Sequence, residues 1–158
     1  MLLPVFPLLL PRIRLFLLLP AQDELVQVWG AATGSVFVIY RGHQSIVRAV
    51  AWSPNGQRMA SASADFTVQV WDAVTGKHIY TYHGHSNVVN AVTWSPDSQH
   101  IASASDDGTV QVWDAGMGSH VYMYRGHSSA VKAVAWAPNG KLIASAGEDQ
   151  TVQVWQAR

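Results

Sequence analysis

An all-β fold made of copies of one four-stranded antiparallel unit is predicted by three observations. Apolar residues alternate, or run for a few positions, between turn signals, with no helical spacing in view. Gly-His recurs at 42–43, 84–85 and 126–127. Tryptophan recurs at Trp29, Trp71, Trp113 and Trp155 and again at Trp52, Trp94 and Trp136, always 42 residues apart. The 158 residues are 49% hydrophobic and only 13% charged, which excludes disorder for the bulk of the chain.

Within one period four short strands are predicted, at residues 46–52, 58–63, 67–71 and 78–82. Asn55-Gly56 and Asn139-Gly140 supply the positive φ of the first hairpin, with Asp97-Ser98 a poorer version at the equivalent place. Asp65-Phe66, Asp107-Gly108 and Asp149-Gln150 mark the second turn, and Thr75-Gly76 with residues 116–118 the third. A unit of this size, apolar on both faces, buries itself only between copies of itself. That is a β-propeller blade. Residues 42–83 and 84–125 share 25 of 42 positions, so the units arose by internal duplication.

The runs "GH", "AVAWSPNG" and "IASASDDGTVQVWDA", with their echoes, resemble the WD40 repeat family over residues 21–158. Gln156 stands where Asp72 and Asp114 do in the earlier units, and Gly30 holds that place in the partial one. The expected organisation is a leader at 1–20, a partial repeat at 21–41, whole repeats at 42–83 and 84–125, and a repeat at 126–158 without its last strand. Thirteen strands result. Three blades do not close a ring, since propellers have four to eight, so the resemblance implies a partial β-propeller, an open arc. Residues 25–29 are then surplus, which argues for a fragment of a larger propeller or multidomain regulatory protein.

His43, Ser61 and Asp65 are the side-chain types of a hydrolase triad. The set recurs as His85, Ser103, Asp107 and as His127, Ser145, Asp149, each in phase with Trp71, Trp113 or Trp155. A catalytic triad is assembled once and needs an open serine. The resemblance implies instead that indole, hydroxyl, imidazole and carboxylate form a hydrogen-bonded chain tying the Gly-His loop to two strands. His78, His83 and His85 invite a metal reading, but position 83 is Arg41 and Arg125 in the other units and no cysteine completes a site. No metal and no cofactor are expected, and no glycine-rich loop leads from a strand into a helix to hold a nucleotide.

Positions that differ between near-identical units are those that packing does not dictate. After Gly-His stand Gln44 and Ile46, then Ser86 and Val88, then Ser128 and Ala130. Before the repeated aspartate stand Ala64, Asp106 and Glu148. The resemblance places them around the narrower top face, where partners dock, with Ile46 and Val88 as apolar contacts and Asp106 and Glu148 as an acidic edge. Residues 74–77 and 117–119 form a second variable region.

Ten Lys+Arg balance ten Asp+Glu, so nothing favours nucleic acid or an anionic membrane, and little charge keeps copies apart. The leader contains Pro4, Pro7, Pro11, Pro20, Arg12 and Arg14. That suits neither a transmembrane helix nor a signal peptide, whose charge precedes its apolar run. A leader outside the fold, from an upstream start or a truncated reading frame, fits better. With no cysteine the cytoplasm is the default compartment. The expected function is a non-catalytic scaffold for protein–protein interaction. A self-assembling homo-oligomer or degenerate propeller fragment is the alternative, and the regulatory tail of a kinase or NTPase stands third. If copies exchange strands, residues 35–40 of one pair with 151–155 of another.

Overall fold

The computed structural model describes residues 24–157, the side chains of residues 120 and 121 excepted, so the leader lies outside the described residues. Thirteen strands follow in chain order: β1 (Val26–Trp29), β2 (Val36–Tyr40), β3 (Val47–Trp52), β4 (Arg58–Ser63), β5 (Val68–Asp72), β6 (His78–Tyr82), β7 (Val89–Trp94), β8 (His100–Ser105), β9 (Val110–Asp114), β10 (His120–Tyr124), β11 (Val131–Trp136), β12 (Leu142–Gly147) and β13 (Val152–Gln156). They form four antiparallel meanders, β1-β2, β3-β4-β5-β6, β7-β8-β9-β10 and β11-β12-β13, in an open arrangement. There is no helix among the described residues, hence none long and apolar enough to cross a membrane.

Two of the four strands, β3 and β5, start one residue later than the sequence suggests, for a polar reason, while β4 and β6 start where expected. Ile46 falls outside β3, where its carbonyl accepts from Ser63 Oγ and from the Ala64 N–H. Thr67 falls outside β5, because its N–H and hydroxyl both bond Asp65 Oδ1. Such local side-chain bonds compete with the strand ladder. The first hairpin has the expected positive φ at Gly56 (73°), Gly140 (74°) and Ser98 (61°), carried by the second residue of each pair alone. Asn55 instead accepts from Ser53 Oγ and the Gln57 N–H, so it holds the turn through its side chain.

Sheets stack face to face through a simple division of size. The middle strands β4 and β8 carry Ala-Ser-Ala-Ser, fully buried, which leaves room for large residues from the neighbour. Ala60, Ala62, Val68 and Val70 of one sheet meet Val92, Trp94, Ile101 and Trp113 of the next. Ala102, Ala104, Val110 and Val112 then meet Val131, Ile143 and Trp155. Each buried Val, Ile or Trp side chain stabilises this stacking by about 1.5–3 kcal/mol.

Candidate functional site

The four-residue sets are assembled three times. In the central unit His85 Nδ1 lies 2.7 Å from Asp107 Oδ2, His85 Nε2 lies 2.8 Å from Ser103 Oγ, and Trp113 Nε1 donates to Ser103 Oγ at 3.2 Å. His43, Asp65, Ser61 and Trp71 repeat this at 2.8, 2.7 and 3.2 Å. His127, Asp149, Ser145 and Trp155 repeat it at 2.8, 2.8 and 3.4 Å. Carboxylate only accepts and indole only donates, so the two ends are fixed, indole N–H to hydroxyl and imidazole Nδ1–H to carboxylate, and with a neutral imidazole the hydroxyl donates to Nε2 between them. Ser61 and Ser103 are fully buried. Their lone pairs face a tryptophan rather than a pocket, so no acyl carbon reaches them.

The aspartates also hold the loops. Asp65, Asp107 and Asp149 each accept from the N–H that follows Gly-His, at Gln44, Ser86 and Ser128. Burial alone raises the Asp107 carboxyl, but bonds from His85 and Thr109 outweigh it and leave the group well below the usual carboxylate range. For Asp65, burial is likewise outweighed, by Thr67, Gln44 and His43. For Asp149 the opposing bonds come from Thr151, His127 and Ser128.

A second repeated device was not read from the sequence. Tyr40, Tyr82 and Tyr124, from the outer strand of one sheet, stack on Trp71, Trp113 and Trp155 of the next at 4.7, 4.5 and 4.5 Å. Their hydroxyls donate to Gln69, Gln111 and Gln153 Oε1 at 2.5, 2.6 and 2.6 Å. The same glutamines donate back to the carbonyls of Gly42, Gly84 and Gly126. A Cβ on any of these glycines would overlap the tyrosine hydroxyl and the glutamine amide. The glycine of each Gly-His pair is therefore a steric necessity of the tyrosine clamp. Burial, with the Asp65 charge nearby, pushes the Tyr40 hydroxyl up to about 12, and burial with Tyr80 and Asp107 does the same to Tyr82. The signal was available: tyrosine, glutamine and threonine each recur at the same spacing as the tryptophans.

The variable positions come together as paired loops. The Ala64, Asp106 and Glu148 N–H groups donate to the carbonyls of Ile46, Val88 and Ala130. Asp106, Ser128, Ala130, Lys132 and Glu148 line one groove between the last two sheets. Gln44, Ile46 and Ser86 are exposed, whereas Ala64 and Val88 are half-buried. The expected acidic edge requires correction. Lys132 Nζ lies 2.5 Å from Asp106 and 3.2 Å from Glu148, and Asn90 Nδ2 donates to Asp106, so the two acids are bridged. One further residue of this face is not marked by the sequence pattern. Phe66 is 43% exposed and held at a φ of 71°, where the other units place Gly108 and Gln150. A bulky residue in this left-handed region is strained. Of the residues considered for a metal, His78 bonds Thr81 Oγ1 and His83 is exposed; the described residues hold no metal-binding group of three or more.

Three consecutive matches to the family described as WD domain, G-beta repeat cover residues 34–72, 76–114 and 118–156. The chain belongs to the WD40 repeat family. Each match begins just before the outer strand of one sheet and runs through three strands of the next, so the WD40 repeat is offset from the sheet by one strand. That offset is why Tyr82 and Trp113 lie within one repeat, yet join two sheets. WD40 units act in general as non-catalytic platforms for protein partners. No match was found among curated proteins.

Proposed function

We propose that this chain is a non-catalytic WD40 scaffold whose paired loops bind a protein partner. The observation that carries the reading is Phe66 beside the loop of Ile46. Both are exposed apolar residues, and the turn requires the left-handed angle but not the ring, since Gly108 and Gln150 take the same angle in the other units. A bulky ring held there at a cost in backbone strain, and left open to water, points to a use at the surface. Gln44 and Ser86 supply exposed polar groups at the rim, and the Asp106–Lys132–Glu148 bridge fixes the groove at the other end with both signs of charge. The partner that fits is a protein segment offering an apolar anchor flanked by polar groups.

Phe66→Gly removes the ring and relieves the strain, so thermal stability should hold or rise by about 1 kcal/mol. Combined with Ile46→Ser, it should abolish recovery of the proteins that immobilised wild-type chain retains from its host extract. Equal recovery by wild type and the double variant refutes the reading.

A further inference from the structure

The last sheet presents a surface that the inner sheets bury. Val68, Val70, Val110 and Val112 are 0% exposed beneath the following sheet, whereas their equivalents Val152 and Val154 are 71% and 62% exposed. Among the described residues, β13 also lacks along its outer edge the strand that β6 and β10 supply to β5 and β9. The other end of the molecule carries the counterpart. Residues 26–29 and 152–155 are both Val-Gln-Val-Trp. β1 pairs with β2, and Val26 and Val28, only 4% and 2% exposed, pack in one cluster with Met59 and Trp71.

We propose that a second copy of this chain covers the last sheet by strand exchange. β13 of one copy takes the place of β1 beside β2 of the other, so that β11, β12, β13 and the second copy's β2 make a complete sheet stacked on its β3–β6. The register is already given. Val152, Gln153 and Val154 stand opposite Tyr40, Ile39 and Val38 of the second copy, as Val26, Gln27 and Val28 now do within one chain. β13 takes over the pairing and burial that the displaced β1 gives up, Val152 and Val154 replacing Val26 and Val28, so the net driving force is burial of the β11–β12 face beside them, Ala133, Ala144 and Ala146, against the second copy's β3–β6.

Two further observations, independent of β13, meet the same arrangement. The first is charge. Asp106 of one sheet takes Lys132 of the next, 26 positions on. Continued across the junction, the same relation sets Glu148 against Arg48 of the second copy, and both are exposed. The second is an orphaned donor. Trp52 Nε1 is buried without a partner. Its equivalent Trp94 Nε1 donates to the Ala51 carbonyl of the preceding sheet at 3.1 Å, while Trp136 Nε1 finds Gly140 within its own unit. In the exchanged assembly the residue equivalent to Ala51 in front of Trp52 is Ala135 of the other copy's β11, whose carbonyl supplies the missing acceptor. An orphaned buried donor destabilises a fold, so this bond adds to the preference for the assembly.

Sedimentation equilibrium of the full 158-residue chain at tens of micromolar tests this. The mass should be at least twice 17.2 kDa. Val154→Lys, exposed in the single chain, should yield a monomer with unchanged far-ultraviolet circular dichroism. Glu148→Arg should weaken association by about tenfold, and adding Arg48→Glu should restore most of it. A monomeric wild type overturns the proposal. So does association that survives Val154→Lys, which would assign it to another surface, or a double charge variant no better than the single.

Discussion

Ser103→Ala isolates what the buried polar set contributes. The hydroxyl receives the Trp113 indole N–H at 3.2 Å and reaches His85 Nε2 at 2.8 Å, and Ser103 and Trp113 are both inaccessible to water. Alanine fits the space but leaves two buried nitrogens without partners. At about 1–3 kcal/mol for each orphaned group, the loss should be about 2–6 kcal/mol. Ser145→Ala removes the same hydroxyl from the last unit, where Trp155 is 9% exposed and its bond is 3.4 Å long. Water there replaces part of what is lost, so its effect should be about 1–2 kcal/mol. Urea unfolding followed by circular dichroism, at one protein concentration, should show a lower midpoint for both variants, an unchanged slope, and a larger shift for Ser103→Ala. A Ser103→Ala midpoint equal to wild type, or equal shifts for the two serines, refutes the reasoning.

Trp113→Ala should cost about 3–5 kcal/mol in the same assay, through the cavity left beneath Tyr82. Gly84→Ala should cost about 1–3 kcal/mol by pushing Tyr82 and Gln111 apart, and the Tyr82 hydroxyl should then titrate at lower pH; an unchanged tyrosine titration contradicts the clamp. Asp65, Asp107 and Asp149 are held below their unfolded value of about 3.9. The unfolded chain therefore binds more protons as pH falls below about 4, stability declines there, and Asp107→Asn should flatten that decline. At the alkaline end Tyr40 and Tyr82, raised to about 12, ionise more readily when unfolded. Stability should fall as pH rises from about 10, the ordinary tyrosine value, through 12, as absorbance at the tyrosinate band would report.

The strands were legible because they depend on one-dimensional signals: a period of 42, alternation, and glycine or aspartate at turns. The starts at 58 and 78 were legible too, but those of β3 and β5 were not, since Ile46 and Thr67 look apolar or β-branched in sequence but are taken by bonds to Ser63 and Asp65. The columns of histidine, serine, aspartate and tryptophan are plain in the sequence, while the bonds joining them are a matter of three-dimensional register. The tyrosine clamp had equal periodicity but joins two sheets, and only the stacking shows that Tyr82 belongs with Trp113. Lys132 illustrates the same limit, for its two carboxylates come from different sheets, and counting acids along the chain gave an edge more negative than the folded surface. Phe66 is not legible in the sequence as a surface residue, because its exposure and left-handed backbone angle appear only in the folded turn.

Each WD40 unit is held by its neighbours, so order should follow position in the stack. Backbone amide exchange measures this directly. Amides of β7, β8 and β9, covered on both faces, should exchange slowest, and those of β11, β12 and β13, where Val152 and Val154 are open, should exchange faster at low concentration and slow as concentration rises. Equal protection of the three units at low concentration, or a central unit that exchanges fastest, would contradict it.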